Sequence, residues 1–342
     1  MKRWWIACLC ILALGCGGGM STSAPPAAQK PLPPNATATV DPAGDAIPVS
    51  PSFLGLSHEW GEAQDMMGQA PAPLNPAYVQ LLRNLDAYGN GPLVLRIGGN
   101  STDRTGEPTP GVVDPFAAVR GATGAEFILG LNFGADDPQL TADQAAAYRA
   151  AMPAGSVIAW ELGNEPDLYR VNGDRPANYY LPAYIQDFDT WKAKLVPSVL
   201  PGPNPFAAPS WAGLSHLVSL QAFLDAEAPS LAMVTQHHYP YSVCGGKTPP
   251  TPEMLLSEAT IQLAVPSLAT YVPEATAVGV PFRLDEVNSV SCLGAYGVSD
   301  TFASALWCTD FMCECARLGL SGINIHSHSS GAYSVFTFAT SG

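Results

Sequence analysis

Ala159-Trp160-Glu161-Leu162-Gly163-Asn164-Glu165-Pro166-Asp167-Leu168-Tyr169 reads as a buried strand and the turn that leaves it. The apolar run 157–162 breaks at Gly163, and the polar pair Asn164 and Glu165 follows. Pro166 has no N–H to give to a ladder, so the strand cannot continue past that pair. A carboxylic acid is thereby set at a strand exit, the end of a barrel where catalytic groups collect.

Seven similar runs surround this one, at 53–57, 93–97, 126–131, 199–203, 232–237, 281–286 and 322–326. The run at 199–203 is the weakest. Helical patterns lie between most of them. Residues 75–88 have apolar positions at helical spacing and stop at Gly89. Thr141 and Gln144 have the spacing of a capping box, Thr251-Pro252-Glu253 is ordered as a helix start, and Asp300 precedes a helix over 301–318. Strand and helix in alternation predict parallel βα units, and eight of them predict an α/β fold of the (β/α)8 barrel type over 53–342. A doubly wound sheet is the alternative, but no Gly-x-Gly-x-x-Gly turn follows the first strand.

Composition agrees with a large core. Of 342 residues, 47% are hydrophobic and only 13% charged. The net charge of −14 excludes a broad basic surface, so a nucleic-acid partner is not expected. Met1-Lys2-Arg3 followed by an apolar run to Leu14 reads as a signal peptide over 1–15, too short to span a bilayer. Cys16 after Leu14-Gly15 is the expected lipidated residue of an exported, membrane-anchored lipoprotein; an ordinary cleaved signal is the alternative. Residues 16–35, rich in Ala, Pro, Ser and Thr, form a flexible tether, and 36–52 carries an alternating segment expected to be a strand.

The strand exits are polar throughout. They carry Arg96 and Asn100, Asn132, Asn164 and Glu165, His237 and Tyr239, Asp285 and Glu286, and His326 and His328. Two carboxylates on separate strand ends, one in an Asn-Glu-Pro context, suit glycoside hydrolysis with Glu165 as proton donor and Glu286 as its partner. Asp285 is expected on the opposite strand face from Glu286, paired with Arg283, and Glu161 is expected to be a satisfied interior acid. Trp160 and Trp307 are expected in the core. No metal is expected, because the histidines lack ligand spacing.

Trp160–Pro166, Leu95–Asn100, His237–Tyr239 and Ser299–Ala305 together resemble glycoside hydrolase family 79. The likeness runs in order over about 53–333. It implies a retaining (β/α)8 enzyme without cofactor or metal that cleaves β-glucuronides. By that resemblance Glu165 is the acid/base and Glu286 the nucleophile. Asn164 contacts the sugar 2-hydroxyl, Asn100 and His237 are further substrate contacts, and Tyr239 and Arg96 hold the nucleophile. The glucuronate carboxylate is met by backbone N–H groups at Leu293 and Gly294 and by Tyr333, neutral donors that suit an acidic protein. Family members continue into a β-sandwich, so the chain is expected to be C-terminally truncated, without the last helix and that sandwich. A glycan-binding lipoprotein without catalysis, or a hydrolase of another β-glycoside, are the alternatives. Cys244 and Cys292, on adjacent loops, are expected to form a disulfide, and Cys308, Cys313 and Cys315 to be buried thiols.

Overall fold

The computed structural model describes residues 46–336 apart from 71, 197 and 198. The signal peptide over 1–15, the tether over 16–35 and Cys16 lie outside the described residues. So do the first ten residues of the strand expected at 36–52, and 46–52 form no strand.

Eight parallel strands close into a barrel: β1 Leu54–Glu59, β2 Val94–Gly98, β3 Glu126–Leu131, β4 Val157–Leu162, β5 Phe206–Trp211, β6 Leu231–His238, β7 Phe282–Val287 and β8 Gly322–His326. Each strand pairs with its neighbours in sequence, and β8 returns to β1. Between them run α1 Pro76–Asp86, α2 Pro110–Thr123, α3 Pro138–Ala151, α4 Leu181–Leu195, α5 Leu220–Glu227, α6 Val265–Ala277 and α7 Phe302–Arg317. The main core, with Trp160 and Trp307 in it, lies between strands and helices. A small apolar floor of Val94, Ile128, Ala159, Ala207 and Met233 fills one level of the barrel interior. These residues precede the polar exits by two or more positions on their strands, so the polar groups stand on a dry layer.

Several local expectations are corrected. The fifth strand is β5, not 199–203. Val199 and Leu200 instead donate backbone N–H to Leu195 O and finish α4, while β5 hides behind Pro209 and Ser210, which interrupt its apolar pattern. Helix α3 is capped by Asp137, whose side chain accepts from Gln139 N and Leu140 N. Thr141 and Gln144 lie inside that helix and hold the β3 exit: Thr141 Oγ1 donates to Asn132 O at 2.5 Å and Gln144 Oε1 accepts from Asn132 N at 2.8 Å. Asn132 is thus a structural residue. Thr251 does cap a helix, but only the short Pro252–Leu255. Asp300 accepts from Gly297 N and does not cap α7. Cys315 is buried and Cys308 half-buried, but Cys313 is exposed.

Candidate active site

Arg96 on β2 is the centre of the site. It is fully buried and donates five hydrogen bonds: Nε and Nη2 to Glu161 at 2.6 and 2.5 Å, Nη1 to Glu286 Oε2 at 2.5 Å, Nη2 to Asn164 Oδ1 at 2.8 Å, and Nη1 to Ser57 Oγ at 3.2 Å. A planar fork spreads five donors over two carboxylates, an amide and a hydroxyl at once, where an ammonium has only three donors on one atom. Glu161 is therefore the satisfied interior acid expected of it.

The turn after β4 is built by a strained backbone. Gly163 takes φ +80°, and a Cβ there would lie 2.5 Å from the Tyr169 hydroxyl. Asn164 N donates to Asp103 Oδ2 at 3.1 Å, and its side-chain amide donates to Asn100 Oδ1 at 3.2 Å. Asp103 also accepts from Phe133 N, Gly134 N and the Tyr169 hydroxyl, and burial pushes its carboxyl up to about 6 against the pull of these four donors. Glu165 sits at φ +51°, a left-handed conformation unusual for a side chain with a Cβ, and its N–H donates to Ser210 O at 3.1 Å. Ser210, at the end of β5, also has φ +51°.

His237 Nδ1 bonds Glu165 Oε1 at 2.9 Å and lies 4.0 Å from Glu286 Oε2. One oxygen of Glu165, one nitrogen of His237 and one oxygen of Glu286 all lie within 4.8 Å of one another. The Tyr239 hydroxyl donates to Glu286 Oε1 at 2.8 Å, so both Glu286 oxygens are held. His326 stands behind, with Nδ1 at 3.0 Å from Ser57 Oγ and 3.8 Å from Glu286 Oε2.

The two glutamates are electrostatically unequal. Burial raises the Glu165 carboxyl, and its bond from His237 only partly offsets this. Burial opposes ionisation of Glu286 too, but His326, His237, Arg96 and Tyr239 outweigh it and hold its carboxyl well below the usual range. His326 is itself pushed down by burial, so its charge is absent near neutrality and the lasting support comes from His237, Arg96 and Tyr239.

Asp285 does not follow strand alternation. Gln236 and His237 are consecutive on β6, yet they face Leu284 and Glu286 on β7; on the other side Ile323 and Ile325 face Leu284 and Val287. Both neighbours see one extra residue in β7. This bulge turns Asp285 inward along with Glu286. Asp285 is fully buried, accepts from Ser210 Oγ at 3.2 Å and lies 3.7 Å from His237 Nε2. Arg283, its expected partner, reaches the far end of the barrel instead, to Asn324 Oδ1 and the carbonyls of Ser52 and Phe53. Gly322 makes room for it, since a Cβ there would overlap the guanidinium.

The loops after β6 and β7 are joined by the Cys244–Cys292 disulfide and by two-residue strands at Tyr241–Ser242 and Val290–Ser291. Cys292, Leu293 and Gly294 are three consecutive left-handed residues. Leu293 O accepts from Ala332 N at 2.7 Å, and Asn288 donates to Tyr333 O at 3.1 Å. Tyr333 is thereby set with its ring 6.2 Å from that of Tyr239 and 5.6 Å from that of His326. The Leu293 side chain is exposed. His238, by contrast, packs against Phe311 in the core, and His328 pairs with Glu62.

Among the described residues two groups offer three converging donors, Glu161 with His237 and Asp285, and Glu165 with His237 and Glu286. In each, the Arg96 guanidinium already sits on one of the acids, Glu161 or Glu286, and would repel a metal cation there. Sequence reading missed Ser57, Asp103 and Ser210 as parts of this constellation, and placed Asp285 outside it. Their signal is spatial: each is a small or acidic residue at a strand exit with no local motif.

No family model matches the chain. The chain is 27% identical to a beta-glucuronidase of Aspergillus niger, over 94% of its own length and 67% of the relative's. It is 24% identical to a beta-glucuronidase of Neurospora crassa, over 84% of its length and 59% of that protein's. Among solved structures it resembles a 4-O-alpha-L-rhamnosyl-beta-D-glucuronidase of Fusarium oxysporum 12S, with a TM-score of 0.71 and 20% identity, covering 84% of this chain and 66% of that one. An alpha-L-arabinofuranosidase of Thermotoga maritima gives a TM-score of 0.57 at 15% identity, over 85% and 67%. The barrel is shared with glycoside hydrolases, and the chain spans about two thirds or less of the length of most of these relatives.

Proposed function

We propose that the chain is a retaining glycoside hydrolase of the family 79 type acting on β-glucuronides. The observation that carries this reading is the pair of glutamates from β4 and β7 whose nearest oxygens lie within 4.8 Å. Retention needs carboxyls about 5–5.5 Å apart, whereas inversion leaves about 6.5–9.5 Å for a water. Their opposite electrostatics fit the two roles: a raised Glu165 keeps the proton to be donated, and a depressed Glu286 stays ionised to attack.

Glu286 attacks the anomeric carbon as Glu165 protonates the leaving oxygen, which breaks the glycosidic bond and leaves a glycosyl ester on Glu286. Glu165, now ionised, takes a proton from water, whose oxygen displaces Glu286 and releases the sugar with β configuration. Arg96 and Tyr239 hold both Glu286 oxygens in line, so the nucleophile need not reorient. Asn164, fixed between Arg96 and Asn100, presents its amide to the ring hydroxyls. Tyr333 and the Leu293-Gly294 backbone provide neutral donors for the glucuronate carboxylate. The same proposal includes export and a lipid anchor at Cys16.

The test is hydrolysis of an aryl β-glucuronide by the Glu286→Gln and Glu165→Ala variants. Glu286→Gln is expected to abolish turnover. Glu165→Ala is expected to retain activity on a good leaving group and to gain rate with azide, giving the β-glucuronyl azide. Full activity of Glu286→Gln overturns the proposal.

A further inference from the structure

The bulge in β7 brings a third carboxyl, Asp285, to the face of His237 opposite Glu165. His237 Nδ1 is bonded to Glu165 at 2.9 Å; its Nε2, fully buried, has no hydrogen-bond partner and looks at Asp285 Oδ1 at 3.7 Å, which has none either. The imidazole is therefore bracketed by two acids, and Glu286 is the third within 4.0 Å. Ser210 ties the bracket together: its hydroxyl donates to Asp285 and its carbonyl accepts from Glu165 N. The remaining charged neighbours are Arg96 from β2 and Glu161 from β4, bonded to each other, with His326 from β8 and Asp167 from the β4 exit further out.

We infer that Asp285 holds His237 with an Nε2–H turned away from Glu165, and that the imidazole so held governs the proton of the acid/base carboxyl. This rests on the reading of Glu165 as acid/base. With Nε2 protonated toward Asp285, Nδ1 is the titrating atom. Once Glu165 has given its proton to the leaving oxygen, the imidazolium donates its Nδ1–H to the Glu165 carboxylate, and no bond to carbon is made or broken in that contact. Asp285 is a positioning residue, since it meets neither substrate nor reacting atoms.

The arrangement has a purpose in double displacement. Glycosylation removes the negative charge from Glu286, which becomes an ester, and creates one on Glu165. His237 lies within 4.0 Å of both, so one imidazolium neutralises whichever is ionised. The buried cluster holds four carboxyls, on Glu161, Glu165, Asp285 and Glu286, against one guanidinium and one imidazolium. Neutrality requires two carboxyl protons, and burial favours them on Glu165 and on Asp285, which it raises to about 8. Above that pH Asp285 is an anion facing Nε2, and the three acids keep His237 protonated to about 10.

The experiment is a titration of the ring nitrogens in protein labelled with 15N-histidine, which has six histidines to follow, with His237 assigned by its absence in His237→Asn. The expected result is one ring that keeps both N–H groups well above the ordinary value of about 6.5. In Asp285→Asn that titration moves down by at least about one pH unit. Kinetically, above about pH 8, where Asp285 is an anion, its loss lowers the pKa of the Glu165–His237 pair, so the basic limb of kcat/KM shifts to lower pH. The rate falls more for phenyl β-glucuronide than for its dinitrophenyl analogue. An Asp285→Asn variant that loses rate equally on both substrates with the limb in place has lost only packing, and overturns the inference. If that variant does not fold, wild-type His237 titrating at or below about 6.5 overturns it alone. The titration stands even if no glucuronide is cleaved, which separates failure here from failure of the proposed function.

Discussion

Replacing Arg96 by lysine keeps a positive charge in the barrel and removes the fork. The arginine makes five hydrogen bonds to Glu161, Glu286, Asn164 and Ser57. A lysine ammonium has three donors on one atom. At least two of the five bonds are lost, and with charged partners each is worth about 1.5–3 kcal/mol, so about 3–6 kcal/mol must appear somewhere. One share falls on Glu161, buried to 1% exposure, whose two bonds to Arg96 belong to the folded ground state. The other falls on Glu286, whose orientation depends on Nη1. Divided evenly, the change costs about 1.5–3 kcal/mol of unfolding free energy and roughly 10–150-fold in kcat/KM. Denaturant unfolding and aryl β-glucuronide hydrolysis at one pH measure the two shares. A lysine variant equal to wild type in both would show that charge alone is enough, and the argument from fork geometry would be wrong. Arg96→Leu is expected to be worse on both counts, because it strands two buried carboxylates.

Two further outcomes follow from the same contacts. Tyr239→Phe removes the donor to Glu286 Oε1; that bond favours the ionised carboxyl, so its loss raises the Glu286 pKa and moves the acid limb of kcat/KM to higher pH by about 1–2 units, read from a pH–rate profile. Replacing Cys244 and Cys292 together by serine opens a crosslink between residues 48 apart, expected to cost about 4 kcal/mol in unfolding and to raise KM for glucuronides, because Leu293 and Gly294 follow directly on that bond.

The barrel was legible because its strands are buried on both faces and read as short apolar runs between helical patterns. Runs such as 126–131, 157–162 and 322–326 coincide with β3, β4 and β8 to the residue. Strand β5 was not legible. Its inner positions carry Pro209 and Ser210, chosen by the site rather than by strand preference, and a proline in a run counts against a strand. The false capping box at Thr141 has a similar cause. Its side chains are spent on Asn132 rather than on helix ends, and a sequence cannot say which partner a threonine meets.

The site divides along the same line. Glu165, Glu286, Arg96, Asn164, His237 and Tyr239 were found because strand exits in one barrel must converge, and the structure brings all six together. Asn100 joins them through Asn164, while Leu293, Gly294 and Tyr333 are held together at the β7 and β8 loops. Asp285 was misplaced by a sound rule, that neighbours in a strand face opposite sides. The rule fails where β7 inserts an extra residue, and a bulge leaves no mark in a sequence made of ordinary strand formers. Its cost is a disrupted ladder on both neighbours, which packing alone would not select. What the bulge achieves is two acids facing inward from adjacent positions, Glu286 against Arg96 and Asp285 behind His237. The departure from alternation is what sets Asp285 against His237 and Ser210, the contacts on which its inferred positioning role rests.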